Sequence, residues 1–171
     1  IEEVTGLPVP ADSEIVIAGF CPRDKMLDEG PFGEWTGYYA SATRPAPILE
    51  VARLYHRNNP ILLGSHNDVP PHEETCYHVL VKSALLQTEL MNMGLPDVKG
   101  VWLSEFGLQQ FLIVSIKQRY AGHAKQAALL ASQSRIGGYL GRYVVVVDDD
   151  IDPTNIQEVL WAVCTRSDPE K

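Results

Sequence analysis

Glu29 and Glu34 stand five residues apart in the run Glu29-Gly30-Pro31-Phe32-Gly33-Glu34, which Trp35-Thr36-Gly37-Tyr38-Tyr39 follows. Two carboxyls this close can divide into an acid and a base when their surroundings differ. Glycine admits positive φ and proline locks φ near one value, so Gly30, Pro31 and Gly33 dictate a sharp, non-helical path that aims both side chains. Phe32 and Trp35 are the neighbours able to strip water from them, and a carboxyl against an apolar wall holds its proton longer than a solvated one. The chemistry this suits is proton transfer to carbon. The other reading is an acidic hairpin whose glutamates face water, the common state of loop charges.

Other polar clusters carry less. Asp148, Asp149, Asp150 and Asp152 have the composition of a hard-cation site, but a strand end followed by a helix cap, with Pro153 at the first helical position, suits Asp152 better. His72 and His78 fall about 240° apart round a helix, which is not the one-face spacing of a metalloprotease pair. Arg44 and Arg53 read as solvated strand or loop charges, and no spacing sets either against Glu29. Cys21, Cys76 and Cys164 cannot all pair and lack metal-type spacing, so they point to reduced thiols in a cytoplasmic protein.

Composition sets the bounds. Apolar residues make up 45% and charged residues 21% of 171 residues, as in an ordinary globular protein of one domain or parts of two. Acids outnumber bases 22 to 14, and the net charge of −8 argues against nucleic-acid binding. The apolar runs are strand-length, well short of the ~18 residues that a membrane span needs.

The elements that must position these groups change character along the chain. Residues 1–63 are rich in Pro and Gly and hold short strand-like runs at 14–20, 37–41, 48–56 and 61–63, which predicts a small antiparallel barrel or sheet. Residues 64–72 have the composition of a linker. A helix is expected over 73–93, with Tyr77, Leu80, Val81, Ala84 and Leu85 as its apolar stripe and Gly94 and Pro96 as its stop. Strands follow at 98–103 and 108–118, then a helix at 122–134. Four consecutive valines predict a central strand at 142–147. A last helix, begun by Asp152 and Pro153, buries Ile156, Leu160 and Val163. Alternating strands and helices predict an α/β segment with a mostly parallel sheet.

The run from Glu29 to Glu34 with Gly37-Tyr38 resembles the signature of the UbiD-type decarboxylases, which use prenylated FMN. Three more blocks agree in the family's order. The first is Leu7-Pro8-Val9-Pro10-Ala11-Asp12 with Glu14-Ile15-Val16. The second is Ser115-Ile116-Lys117 with Tyr120-Ala121-Gly122-His123-Ala124-Lys125. The third runs from Arg142 to Pro153 and on through Val159-Leu160-Trp161-Ala162 and Thr165-Arg166.

The resemblance implies a two-part α+β fold. Residues 1–63 would be the C-terminal part of a split-barrel-like flavin-binding domain, 64–72 a linker, and 73–171 an incomplete α/β oligomerisation domain. Both chain ends are then expected inside a longer polypeptide. The implied activity is reversible, non-oxidative decarboxylation of an aromatic, heteroaromatic or α,β-unsaturated carboxylic acid by a homo-oligomer. Blocks around 115–133 resemble decarboxylases of hydroxylated aromatic acids more than the cinnamate type.

Glu34 matches the family's proton donor, and Glu29 matches the glutamate that pairs with a catalytic arginine expected upstream. Arg135, seven residues before Arg142, matches a basic residue that reaches the flavin phosphate; a solvated loop cation is the alternative. Trp35, His78 and Lys117 fall where relatives line the substrate pocket, though His78 also reads as an ordinary partly buried helix histidine. A divalent metal (Mn or Mg) is implied, with its ligands upstream, so no metal site is expected in this chain. Two other readings stand beside the enzyme: a non-catalytic assembly fragment lacking the upstream arginine and metal ligands, and, by barrel analogy alone, a flavin reductase.

Overall fold

The structure, a computed structural model, describes residues 1–168; residues 169–171, at the end of the expected second domain, lie outside the described residues. The chain divides into two compact units, Ile1–Asn67 and Asp68–Lys171.

The first unit holds two antiparallel strand pairs. β1 (Ile15–Phe20) pairs with β4 (Glu50–His56), with a register shift between Ala18 and Gly19. β2 (Met26–Glu29) pairs with β3 (Arg44–Pro47), setting Glu29 directly opposite Arg44. Proline lacks the amide a ladder needs, and Pro45 and Pro47 are tolerated because β3 has one partner only. Ala18 is buried, whereas Ile17, Phe20, Leu27 and Leu54 are exposed. Of the expected strands at 37–41 and 61–63, only a single bridge forms, Gly33 to Tyr39. A strand exists through its partner, and local composition does not supply one. Glu2 pins the opening turn: its buried carboxylate accepts from Val4 N (3.0 Å), Thr5 N and Oγ1 (both 2.6 Å) and Tyr55 Oη (2.8 Å). Those donors, the Thr5 hydroxyl foremost, hold its carboxyl at about 2.

The second unit runs α1 (Glu73–Asn92), β5 (Val98–Leu103), β6 (Phe111–Ile116), α2 (His123–Gln133), α3 (Gly137–Leu140), β7 (Tyr143–Asp148) and α4 (Ile156–Arg166). Its sheet has the order β5-β6-β7, with β5 antiparallel to β6 and β6 parallel to β7. The α/β class thus stands, with a mixed sheet. The short 104–110 turn permits a hairpin, while the crossover through α2 and α3 brings β7 back parallel.

The expectation of a central strand at 142–147 is corrected. β6 is central, and β7 is the edge, its first three valines only half-buried. Along β6, Leu112, Val114 and Ile116 join the core under α1 and α2, and Ile113 joins Val147, Val159 and Ala162 under α4. A strand covered on both faces needs apolar residues at every position, and β6 has them all but at Ser115. The buried Ser115 satisfies its hydroxyl by donating to Asp148 O (3.2 Å).

Two helix stripes are also corrected. α1 buries Thr75, Val79, Ser83, Leu86 and Leu90, while Tyr77, Leu80, Val81, Ala84 and Leu85 face outward. Periodicity finds an apolar stripe, but a helix with two must have its inner one chosen by tertiary contacts. Ser83 earns its buried place by accepting from Leu103 N (3.0 Å). α4 buries Val159 and Ala162 rather than Leu160, which is exposed. Its cap is Asn155, whose side chain accepts from Gln157 N (3.1 Å), and Asp152 instead closes the turn before it through Thr154 N and Oγ1.

Candidate active site

Glu29 ends β2 and is exposed; Glu34 is half-buried four residues beyond the turn residue Gly30. The path between them is firmly tied. Gly30 has φ 83°, and its carbonyl accepts from Thr43 Oγ1 (3.1 Å). The Gly30–Pro31 peptide is cis. Glu34 N donates to Tyr38 O (2.9 Å) and Gly37 N to Glu34 O (2.8 Å), closing a tight turn with Gly37 at φ 83°. Asn67 Nδ2 donates to Gly33 O (3.0 Å) and ties the turn's base. The sharp path therefore rests on Gly30 and Gly37, while Gly33 lies in the bridge to Tyr39. Of the expected apolar neighbours, Trp35 is half-buried and Phe32 is exposed, so Phe32 offers no dry wall within this unit. Arg44 faces Glu29 across the ladder, a pairing that the spacing of residues did not disclose, and Arg53 lies opposite Ala18.

In the second unit, Arg135 lines a cavity of about 250 Å³ with Lys82, Leu103, Gln109, Ile136 and Tyr139. Glu89 fixes the backbone there: its two carboxylate oxygens accept from Arg135 N (2.9 Å) and Ile136 N (3.4 Å). Gly137 follows where the chain passes closest to α2; a Cβ at that position would lie 2.1 Å from Ala131 O. His78 is half-buried one turn before Lys82 on α1, on the same side of the helix. Lys117 is exposed just past the far end of β6 from Gln109, roughly 25 Å along the strand direction at ~3.3 Å per residue. The fold thus brings Lys82 and Arg135 to one cavity, leaves His78 one turn away from Lys82 on α1 and outside that lining, and sets Lys117 apart.

The acidic cluster is absorbed by the fold. Arg166 makes a two-pronged pair with Asp150 (2.8 Å each), lies 3.7 Å from Asp148 and stacks over Trp161. Its hydrogen bonds hold the Asp150 carboxyl below the ordinary carboxylate range. Among the described residues no three His, Cys, Asp or Glu side chains converge as a metal site, so the donors present do not suit a divalent ion. For a phosphorylated group the cavity offers two cations, Lys82 and Arg135; Gln109 Oε1 is buried there without a hydrogen-bond partner. Lys82, Glu89 and Gln109 escape sequence reasoning. Lys82 leaves a trace, a cation inside an apolar helix one turn after His78, whereas Gln109 leaves none.

Residues 1–68 match the family model described as the 3-octaprenyl-4-hydroxybenzoate carboxy-lyase Rift-related domain, and residues 77–171 match that of the carboxy-lyase C-terminal domain. An uncharacterized protein of Aeropyrum pernix is 35% identical over 167 residues, which are 97% of this chain and 34% of that protein. The vanillic acid decarboxylase of Sedimentibacter hydroxybenzoicus in its open form has a TM-score of 0.77 at 34% identity, over 95% of this chain and 34% of the other. An evolved dimeric form of the UbiD-class enzyme HmfF from Pelotomaculum thermopropionicum, in complex with prFMN, has a TM-score of 0.75 at 34% identity, over 95% and 37%. The chain spans about a third of the length of these relatives.

Proposed function

The chain belongs to the UbiD family of carboxy-lyases, and on that premise we propose that it is the central part of an enzyme that reversibly decarboxylates an aromatic, heteroaromatic or α,β-unsaturated carboxylic acid. The observation that carries this reading is the match of both domain models, in order, along the chain. The relatedness to a vanillic acid decarboxylase and to a UbiD-class enzyme holding prFMN supports both the reaction and the cofactor.

The chemistry that prenylated FMN would supply when bound is that of an electron sink for the pair left on the substrate carbon by decarboxylation. Glu34 then delivers a proton to that carbon, and in the carboxylation direction it removes one. Its tied turn keeps the carboxyl's approach constant between the two half-reactions. Glu29 orients an arginine expected outside this chain and balances the charge beside Glu34. Trp35 limits water at the donor. Arg135 meets the flavin phosphate, while His78 and Lys117 line the substrate pocket. The ligands of a divalent Mn or Mg ion are expected upstream, and no step is derived through it.

Residues 1–63 would complete a split barrel, 64–72 would link, and 73–171 would assemble the homo-oligomer. The outward stripe of α1, with Tyr77, Leu80 and Leu85 exposed, supports an association surface. Three unpaired, exposed cysteines favour a reducing, cytoplasmic setting. Among the described residues no helix is long and apolar enough to cross a membrane.

The test is Glu34→Gln in the full-length protein. Glutamine keeps the shape and cannot exchange the proton, so decarboxylation should fall about 10²–10⁴-fold while flavin content and melting temperature hold. Near-normal turnover with flavin bound overturns the proton-donor role. A full-length wild-type protein that binds no flavin and turns over no carboxylic acid favours the assembly reading instead.

A further inference from the structure

Three hydrogen bonds fix the two peptide planes that flank Glu34. The Gly33–Glu34 peptide is held at both ends. Its N–H, on Glu34, donates to Tyr38 O (2.9 Å), and its carbonyl, on Gly33, accepts from Asn67 Nδ2 (3.0 Å). The Glu34–Trp35 peptide is held through its carbonyl, which accepts from Gly37 N (2.8 Å). A peptide is planar, so holding the planes on either side of Cα sets the direction of the Glu34 Cα–Cβ bond. The side-chain torsions alone remain free.

Two of these bonds join backbone to backbone inside the turn. The third comes from a side chain thirty-four residues further on, in the last residue of the first unit. Asn67 also lies alongside Gly33 through its own backbone, since a Cβ at Gly33 would stand 3.7 Å from Asn67 O. Thr43 Oγ1 ties the same loop at Gly30 O, but beyond Pro31 and on the side of Glu29. Asn67 is exposed and belongs to neither core cluster, so burial does not account for it.

We propose that Asn67 is a positioning residue for proton transfer: by holding the Gly33 carbonyl it sets the direction from which the Glu34 carboxyl reaches the substrate carbon. This rests on the proton-donor reading above. In that step the C–C bond to the departing carboxylate has broken, and its electron pair forms a C–H bond with the proton of Glu34. Glu34 is left as a carboxylate and regains a proton from solvent. Such steps depend steeply on geometry, and a misplacement of about 1 Å can cost roughly 100-fold. Two backbone ties survive the loss of Asn67, so the expected cost is smaller.

Wild type, Asn67→Ala, Asn67→Asp and Glu34→Gln are compared in the full-length, flavin-loaded protein. Alanine removes the donor; aspartate keeps the size and, when ionised, has no hydrogen to give. Both should lower kcat about three- to tenfold, the worth of one hydrogen bond, with KM, flavin content and melting temperature unchanged. The solvent deuterium isotope effect on kcat should rise in both, because the Glu34 proton exchanges with solvent and its delivery is slowed against the other steps. The Glu34 amide should also exchange faster, its peptide having lost the tie at the opposite end. Wild-type kcat or isotope effect in both Asn67 variants, beside a slow Glu34→Gln, overturns the inference and leaves the proton donor in place. Unchanged exchange of the Glu34 amide overturns it too. Early melting or flavin loss in both Asn67 variants makes Asn67 a structural residue and likewise overturns it. Near-normal turnover by Glu34→Gln removes the donor, and the positioning role with it.

Discussion

At the scale of single residues, the proposed acid–base pair is unequal in its support. Glu34 sits inside a turn closed by its own amide and carbonyl, and Glu29 ends an exposed strand whose partner position holds Arg44. Directly opposed residues on antiparallel strands are near neighbours, and opposite charges there contribute roughly 0.2–1 kcal/mol. Arg44→Ala should therefore lower stability by about that amount, and Arg44→Glu, which sets like charges face to face, by more. Chemical denaturation of the full-length protein measures both. Equal stability of the two variants would show that the ladder position brings no interaction between the side chains.

At the scale of elements, the α1–β5 connection shows how one turn gathers charge. Asp97 has a left-handed backbone, φ 52°, and its carboxylate pairs with Arg119 and with Lys99 Nζ (3.1 Å). Its carbonyl accepts from Lys117 N (3.0 Å), so the same residue ties the far end of β6. Arg119 first and Lys99 second hold its carboxyl well below the ordinary 3.8. A folded state that binds this proton less readily than the unfolded chain is stabilised above the ordinary value, and that stabilisation is lost as pH falls below 3.8 towards the lowered folded value. Arg119 and Lys99 are solvent-exposed and Asp97 is partly so, so salt weakens the effect. Asp97→Asn, which tolerates the backbone, should melt earlier than wild type at pH 7, with a gap that narrows by pH 3. A gap that stays constant with pH would assign the loss to the turn geometry rather than to the charges.

At the scale of the whole molecule, the two units differ in what they bury. The second packs a sheet between α1 and α2 on one face and α4 on the other, with Leu86, Leu90, Leu112 and Ile113 fully buried. The first consists of two-stranded sheets with Ile17, Phe20, Leu27 and Leu54 exposed, and isolated strand pairs are marginal in water. Hydrogen exchange on the 171-residue chain should find the slowest amides in β5, β6, α1 and α2, and fast exchange throughout β1 to β4. Comparable protection in β1 to β4 would reveal a core that the first unit lacks by itself.

Much of this was legible in the residues alone, wherever the deciding physics is local. The bounds of β5 and the stop of α1 at Gly94, whose φ is 83°, follow from strand composition and from glycine's access to left-handed backbone. The turn before Glu34 was legible at Gly30 alone, since Gly37 rather than Gly33 takes the other left-handed backbone, and the order of motif blocks is sequence by definition. What the tertiary structure decided is relational. Which of two stripes of α1 turns inward depends on the sheet beneath it. That β6 rather than β7 is central depends on what covers each face. Arg44 comes opposite Glu29 through a pairing of residues fifteen or more apart in the chain, since β3 forms only where β2 can accept it. Gln109 carries no periodic or compositional mark, because its burial exists only once Lys82, Arg135 and Ile136, remote in the chain, line the same cavity.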